Sequence, residues 1–262
     1  IPIFQGYGLT EAAPVISSNL PSKHKFGTSG IVAPSVDCRI VGEDNEELPA
    51  GTRGEIVIRG ENVMKGYYKN PSATKETVVD GWLHTGDLGY FDEDRFLVVV
   101  GRKKALLISS DGEKYSPEGI EEAIANSSEY IHQVILYNDH NDYTTALIVP
   151  DIDRTREYIR SYGIVNPKEI LEFFSDQLNA FRSQEPYQNL FPAMWLPATY
   201  QLLGEPFSEE NKMINSSMKM VRYRIVQTYK DRIDYMYTDE GKQCFNPKNL
   251  ETVKELFPEL ED

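Results

Sequence analysis

The sequence changes character at Gly101–Lys104, and this change is the strongest limit on the fold. Before it, short β-like stretches are separated by glycines and prolines; examples are Val36–Gly42, Gly54–Gly60 and Phe96–Arg102. After it, strand-like stretches alternate with helical patterns. We therefore predict an α+β fold, in which a small β-rich subdomain, either a sheet or a distorted barrel, is followed by a mixed domain.

The mixed part carries recognisable helix and strand signals. Ser116 as a cap and Pro117 at the first helical position predict that a helix begins there. Its buried face is expected to carry Ile120, Ala123 and Ile124. Further predictions are strands at Tyr130–Asn138 and Thr144–Pro150 and helices at Pro167–Gln184 and Ser217–Tyr237.

Charge and composition exclude several classes of protein. The net charge of −14 argues against nucleic-acid binding, which needs a basic surface, although basic clusters at Gly101–Lys104 and Lys212–Arg224 suit an anionic small molecule. No stretch has the ~20 apolar residues of a transmembrane segment. Cys38 and Cys244 indicate neither a disulfide framework nor a zinc site, and the four histidines lack metal-ligand spacing. We expect a cytoplasmic protein and leave peripheral membrane contact open.

The segment GYGLTE, Gly6–Glu11, combines groups that suit a nucleotide. Its glycines allow close approach of the backbone, and the Tyr7 ring can stack on a purine. The Thr10 hydroxyl can donate to a phosphate oxygen, and the Glu11 carboxylate suits Mg²⁺. The alternative interpretation is a turn followed by a helix that Thr10 caps.

Two later positions carry related chemistry. Asp87 follows the tight turn of a TGD sequence, and a carboxylate held in this way can accept both hydroxyls of a ribose. Arg102 supplies a planar cation that can bridge ribose or phosphate oxygens. The alternatives are a loop aspartate and a surface arginine.

Six segments in order resemble the adenylate-forming (AMP-binding) enzymes, and within them the long-chain fatty-acid–CoA ligases. They are QGYGLTE, GEIVIRG, VMKGYYKNPSAT, DGWLHTGDLGYFDED, GRKKALLISSDGEKYSPEGIE and MINSSMKMVR. The likeness runs from Gln5 to Pro150 and resumes near Pro206–Arg224. Each segment alone is a weak signal, but six in the same order make chance resemblance improbable.

The resemblance implies a role for each candidate residue. Tyr7 and Gly8 would contact the adenine, Thr10 the phosphate and Glu11 the Mg²⁺, while Asp87 and Arg102 would hold the ribose. Residues 1–101 would be the last, β-rich part of the large adenylation domain, 102–104 a hinge centred on Lys104, and 105–262 a mobile lid domain. The implied catalytic residues are Lys219, Thr10 and Glu11, with Lys219 as the mobile lysine that steadies charge when a carboxylate attacks the α-phosphate.

Departures from the family pattern qualify these roles. Lys212 is a rival for the catalytic lysine, because many relatives carry a glycine directly before that lysine and this chain carries Met218. Ile108 replaces a common lysine, and Arg95 a common turn glycine. The family's TSGTTG-like phosphate loop occurs nowhere in the sequence, and the chain starts without methionine just before a motif. We therefore expect a C-terminal fragment that is inactive by itself.

The implied parent is an acid–thiol ligase that uses a fatty acid, ATP with Mg²⁺, and CoA. Alternatives are an acyl-AMP ligase that loads a carrier protein, an aryl-CoA ligase, or a free-standing nucleotide-binding or interaction module. Acyl chain length, oligomeric state and the role of residues 154–203 stay open, because the residues that would form the acyl pocket lie upstream in the family.

Overall fold

In the computed structural model, which describes residues 2–260, the chain divides into two units: the first ends at Ala105 and the second begins at Leu106. This division lies one residue beyond the segment 102–104, whose action as a hinge stays a prediction. No helix of the described residues is both long and apolar enough to cross a bilayer.

Most of the regular elements of the first unit are strands. Its elements are β1 (Gly6–Gly8), β2 (Val15–Ser18), β3 (Ile31–Val32), β4 (Val36–Val41), β5 (Gly54–Gly60), α1 (Pro71–Thr77), β6 (Val78–Val79), β7 (Trp82–Phe91) and β8 (Leu97–Arg102). One sheet has the order β1-β2-β3. The other has the order β4-β5-β7-β6, and β8 also pairs with β7.

The α+β prediction is confirmed, but the distorted barrel is wrong: the described strands of this unit form two sheets that do not close. The larger sheet is organised around the long strand β7. One of its edges pairs with β5, and its other edge is shared, because β6 pairs with its beginning and β8 with its end. The apolar side chains beneath these strands, among them Ile16, Ile56 and Leu97, form one core.

The second unit mixes helices with two small sheets. Its elements are β9 (Leu107–Ser109), β10 (Lys114–Tyr115), α2 (Glu118–Ser127), β11 (Ile131–Tyr137), β12 (Asp139–Asn141), β13 (Thr144–Pro150), α3 (Ile152–Tyr162), α4 (Pro167–Asn179), β14 (Pro197–Leu202), α5 (Arg222–Thr228), α6 (Lys230–Met236) and α7 (Pro247–Leu256). The sheets have the orders β10-β9-β12 and β11-β13-β14.

The central strand β13 is buried along its whole length because helices cover both faces of its sheet. Ala146 and Ile148 point into a core that includes residues of α2, α4 and α7. Leu147 and Val149, on the opposite face, pack with residues of α5 and α6. This alternation follows from the two-residue period of a strand.

Most local predictions are confirmed. β5 and β13 have the predicted bounds, and Ile120, Ala123 and Ile124 are buried. The predicted Ser116 cap is wrong: α2 begins at Glu118, and the residue before it is Pro117, whose backbone is already helical. The fixed φ of proline starts this turn without a side-chain cap.

Two helix predictions need correction. The helix predicted at Ser217–Tyr237 begins only at Arg222 and is interrupted at Tyr229, which separates α5 from α6. Its first residues are instead held in a tight turn by the side chain of Asn215. The helix predicted at Pro167–Gln184 is α4 followed by a 3-10 turn at Ala180–Ser183.

Candidate functional site

Asp87 is buried in a distortion of β7. The register between β5 and β7 shifts between Glu55 and Val57, so extra residues of β7 bulge out at this point. The Thr85 hydroxyl donates to the Ile56 carbonyl over 2.7 Å and accepts the Asp87 N–H over 3.0 Å. Bulges commonly redirect side chains beside functional sites, and this one fixes the direction of the Asp87 carboxylate.

The structure brings Tyr7, Asp87 and Arg102 together. The Tyr7 hydroxyl donates to Oδ2 of Asp87 over 2.7 Å, and Nε of Arg102 lies 3.1 Å from Oδ1. The three side chains come from β1, β7 and β8, and Tyr7 and Asp87 are 80 residues apart in sequence. An ionised carboxylate offers about four lone-pair positions, so Asp87 retains acceptor capacity for further hydroxyl groups.

The protonation of Tyr7 suits its role as a donor. Burial raises the pKa of Tyr7 far above its ordinary value; the neighbouring Thr85 opposes this rise in pKa, and the neighbouring Asp87 adds to it. The phenol is therefore neutral at physiological pH and can hold the carboxylate of Asp87 through its proton.

Gly8 owes its identity to a close backbone approach. A Cβ atom at this position would lie 1.9 Å from the carbonyl oxygen of Pro14. That carbonyl accepts the N–H of Leu9 over 2.9 Å and so closes the loop after β1. The glycine shapes the backbone beside Tyr7, and its contact with adenine stays a prediction.

Thr10 and Glu11 begin a 3-10 turn, Thr10–Ala12. The alternative reading of Thr10 as a helix cap is wrong, because Leu9 occupies the cap position and no side chain bonds the turn's amides. The Thr10 side chain is exposed, and Oε1 of Glu11 accepts the Tyr67 hydroxyl over 3.0 Å.

Glu11 could hold Mg²⁺ only together with oxygens of a bound phosphate. Within residues 2–260 there is no group of three or more His, Cys, Asp or Glu side chains that could hold a metal ion. Mg²⁺ is commonly bound through one or two carboxylates together with substrate phosphates. A single partly exposed carboxylate such as Glu11 fits that mode of binding.

In the second unit, Lys219 lies in a tight turn that we call the lysine hairpin, residues 214–220. Ile214 and Met220 pair across its base. Oδ1 of Asn215 accepts the N–H groups of Ser217 and Lys219 over 3.1 and 2.9 Å. The backbone N–H of Asn215 donates to the Lys219 carbonyl over 2.9 Å. The backbone of Lys219 is thus held while its side chain is exposed to solvent.

Met218 directly precedes Lys219, and its backbone adopts a conformation that suits glycine. Its φ is +59°, in the left-handed region that favours glycine. Lys212, the rival of Lys219, also has a positive φ, +60°, and lies in a separate turn that begins at Ser208. Both lysine side chains are exposed.

An ion pair missed by the sequence analysis secures the end of the lysine hairpin. Both carboxylate oxygens of Glu121 accept the Arg222 guanidinium, over 2.8 and 2.6 Å, and Arg222 also donates to the Leu136 carbonyl. Both side chains are largely buried. Because 101 residues separate the partners, local sequence patterns contain no signal for this contact.

The predicted hinge residue Lys104 is exposed and lies in a 3-10 turn at Lys103–Ala105. Lys103 before it is tied to the first unit, because its Nζ lies 3.1 Å from Oε2 of Glu55. In the sequence, Lys103 was noted only as a member of the basic cluster Gly101–Lys104 and of the hinge 102–104, and Glu55 was not singled out. The available signal for Glu55 was a glutamate directly before the apolar residues Ile56, Val57 and Ile58 of a predicted strand.

Two family profiles match the chain. The profile of AMP-binding enzymes matches residues 1–68, and the profile of the AMP-binding enzyme C-terminal domain matches residues 104–241. The second match by itself covers more than half of the chain.

Among curated proteins, the chain is 32% identical to a chloroplastic long-chain-fatty-acid–[acyl-carrier-protein] ligase of Arabidopsis thaliana, over 89% of the chain and 32% of the relative. It is 41% identical to a long-chain-fatty-acid–CoA ligase of Salmonella typhimurium, over 48% of the chain and 22% of the relative. The chain spans about a third of the length of the first curated relatives it matches.

Solved structures agree. The chain resembles an O-succinylbenzoate coenzyme A synthetase of Bacillus subtilis, solved with ATP and magnesium, with a TM-score of 0.62 and 27% identity over 85% of this chain and 41% of the other. The adenylation domain of a carboxylate reductase from Mycobacterium chelonae has a TM-score of 0.74 over 90% of this chain and 35% of the other. At 24% identity, this second likeness shows the fold.

Proposed function

Since the chain belongs to the family of AMP-binding enzymes, we propose that it forms the C-terminal part of an ATP-dependent acid–thiol ligase. The observation that carries the proposal is the convergence of Tyr7, Asp87 and Arg102 in one place. An aromatic ring, a buried carboxylate and a planar cation form the combination that recognises an adenine and its ribose.

The reaction has two steps. In the first, an oxygen of the substrate carboxylate attacks the α-phosphorus of ATP, the bond from that phosphorus to the bridging oxygen of pyrophosphate breaks, and acyl-AMP forms. In the second, the thiol sulfur attacks the acyl carbonyl, its proton is lost, and AMP leaves. The first step is needed because a free carboxylate is a poor acyl donor.

Each candidate residue of this chain has its own role in the two-step reaction. Tyr7 stacks on the adenine beside Gly8, and Asp87, steadied by Arg102, accepts the ribose hydroxyls. Thr10 donates to a phosphate oxygen, and Glu11 would hold Mg²⁺ beside the phosphates. Mg²⁺ bound there would neutralise phosphate charge. Lys219 brings its ammonium to the negative charge that develops around the α-phosphate.

A long-chain fatty acid is the proposed acid and CoA the proposed thiol. The fatty-acid–CoA ligase among the relatives supports both choices. A carrier protein is the second candidate for the thiol, which the acyl-carrier-protein ligase favours. An aromatic acid is the second candidate for the acid, and a free-standing nucleotide-binding module is the candidate from outside the ligases. The two unpaired cysteines, Cys38 and Cys244, suit the cytoplasmic location that we propose.

The gene provides the first test. We expect a phosphate loop of the TSGTTG type upstream of residue 1, and we call the resulting protein the complete ligase. A native start near Ile1 would favour the free-standing module instead.

Activity provides the second test. The complete ligase should catalyse carboxylate-dependent exchange of pyrophosphate into ATP and then form acyl-CoA across a series of chain lengths. The 262-residue chain alone should form no acyl-AMP and should bind AMP weakly, because it offers part of a site. Exchange by the chain alone, or tight calorimetric binding of AMP, would contradict this assignment.

A further inference from the structure

Two carboxylates are buried among the described residues, and they lie on neighbouring strands. Glu55 is 8% exposed and Asp87 is 5% exposed. They belong to the paired strands β5 and β7, on either side of the bulge that directs Asp87. A buried charge is costly unless it is paired and hydrogen-bonded. The contacts of the Glu55 carboxylate therefore indicate its structural role.

One carboxylate oxygen of Glu55 holds the bulge. Its Oε1 accepts the N–H of Gly86 over 3.1 Å. Gly86 has a φ of +71°, so the chain reverses here in a conformation that other residues rarely adopt. Asp87 is the next residue. Glu55 therefore holds the backbone N–H of Gly86, the residue before Asp87, whose carboxylate contacts Tyr7 and Arg102.

The other oxygen of Glu55 holds the neighbouring strand. Oε2 lies 3.1 Å from Nζ of Lys103 and 3.4 Å from Nδ1 of His84. Lys103 directly follows Arg102, and Arg102 lies opposite Asp87 in the β7–β8 pair. A single buried carboxylate thus ties together the two chain segments that carry Asp87 and Arg102.

We propose that Glu55 is a positioning residue of the nucleotide site: through the Gly86 amide it holds Asp87 in the geometry that meets a ribose, and its pairing with Lys103 and His84 compensates its buried charge. The ribose part of this inference rests on the proposed function. Glu55 itself is buried behind the bulge and acts through its neighbours.

The experiment uses the isotopically labelled 262-residue chain and two variants. Glu55→Met keeps the length of the side chain but removes the acceptor and the charge. Glu55→Gln keeps an acceptor oxygen for the Gly86 amide. Glu47→Ala is the matched control, because Glu47 is an exposed carboxylate of the same unit that is paired with Arg39. NMR measures hydrogen exchange at the Gly86 amide and titrations with AMP and 2′,3′-dideoxy-AMP.

In the wild type we expect a protected Gly86 amide and an affinity for AMP about tenfold above that for the dideoxy analogue. Glu55→Met should accelerate Gly86 exchange about tenfold and remove most of the preference for AMP. Glu55→Gln and Glu47→Ala should keep both properties within about twofold. A folded Glu55→Met variant with rapid Gly86 exchange but an unchanged preference would overturn the proposal.

Two further outcomes are decisive. If Glu55→Met does not fold, Glu55→Gln decides: retention of both properties supports the positioning role, and a lost preference with a protected Gly86 contradicts it. If the wild type does not distinguish AMP from its dideoxy analogue, the assignment of Asp87 to ribose fails. The positioning role is then judged by Gly86 exchange and by the shift of the Asp87 amide, which should change in Glu55→Met and persist in Glu55→Gln.

Discussion

Arg102 lies directly opposite Asp87 in the antiparallel pair of β7 and β8, and its Nε is 3.1 Å from the Asp87 carboxylate. The pairing of backbones therefore sets the pairing of side chains. Asp87 is buried, whereas about half of the Arg102 side chain is exposed. This leaves the guanidinium accessible to a second anionic or hydroxyl-bearing partner while one edge of it holds the carboxylate.

The Tyr7 hydroxyl should contribute to nucleotide affinity separately from its ring. Tyr7→Phe retains the stacking surface but removes the donor to Oδ2 of Asp87. We expect AMP affinity of the chain to fall about fivefold, which corresponds to the loss of one hydrogen bond of ~1 kcal/mol. Titration by NMR measures the change. Tyr68→Phe is the control, since Tyr68 is 87% exposed, and an equal loss in both variants would contradict the role of the Tyr7 hydroxyl.

Glu55 should make the first unit sensitive to acid. Burial by itself would raise the pKa of Glu55, but the contacts with Lys103 and His84 outweigh it and lower the pKa below its ordinary value of 4.5. A lowered pKa in the folded state gives stability that is present above the unfolded-state pKa and is lost as the pH falls through the folded-state value.

The corresponding measurement is urea unfolding of the wild type and Glu55→Gln over a pH series. The difference in the free energy of unfolding should be largest near neutral pH and should shrink as the pH falls below the ordinary value of 4.5. Glu47→Gln controls for the loss of one exposed charge. A difference between wild type and Glu55→Gln that is the same at every pH would show that the charge of Glu55 is not involved.

The sequence predicted the elements whose signals are local. β5 and β13 have the predicted bounds because alternation and buried apolar runs are read from neighbouring residues. The interrupted helix after Ser217 was not predicted, since its apolar spacing continues while Asn215 captures the amides that a helix would use. The motifs identified Tyr7, Asp87 and Arg102, whereas Glu55 and the Glu121–Arg222 pair depend on contacts between distant segments that local patterns do not encode.

Met218 should be replaceable by glycine with a gain in stability. A φ of +59° destabilises the folded state by about 1–2 kcal/mol for a residue with a side chain. Glycine avoids this strain, but it loses more conformational entropy on folding, which offsets part of the gain in stability. We expect Met218→Gly to raise the free energy of unfolding by about 0.5–1 kcal/mol in thermal or urea unfolding. Met220→Gly, at the paired base of the lysine hairpin, should destabilise the chain. Destabilisation by both substitutions would contradict the strain at Met218.

The hinge assignment of Lys104 leads to a difference between the two half-reactions of the complete ligase. Proline restricts its own φ and the residue before it, so Lys104→Pro should hold the second unit in one orientation. If that orientation is the adenylating one, acyl-AMP forms and transfer to CoA stalls. Lys104→Ala keeps the backbone free and should be mild. Equal losses in both half-reactions of Lys104→Pro, or a severe effect of Lys104→Ala, would contradict the hinge.

The most direct test of the proposed chemistry compares Lys219→Ala with Lys212→Ala in the complete ligase. Both lysines are exposed and lie seven positions apart in the sequence, so each serves as the control for the other. Two reactions are measured separately: carboxylate-dependent pyrophosphate–ATP exchange, and acyl-CoA formation from supplied acyl-AMP. We predict that Lys219→Ala lowers the exchange rate by ~10²–10³ and leaves thioester formation intact, because only the first reaction develops charge at the α-phosphate. Normal exchange by Lys219→Ala, with that loss in Lys212→Ala, would contradict the assignment of Lys219 as the adenylating lysine.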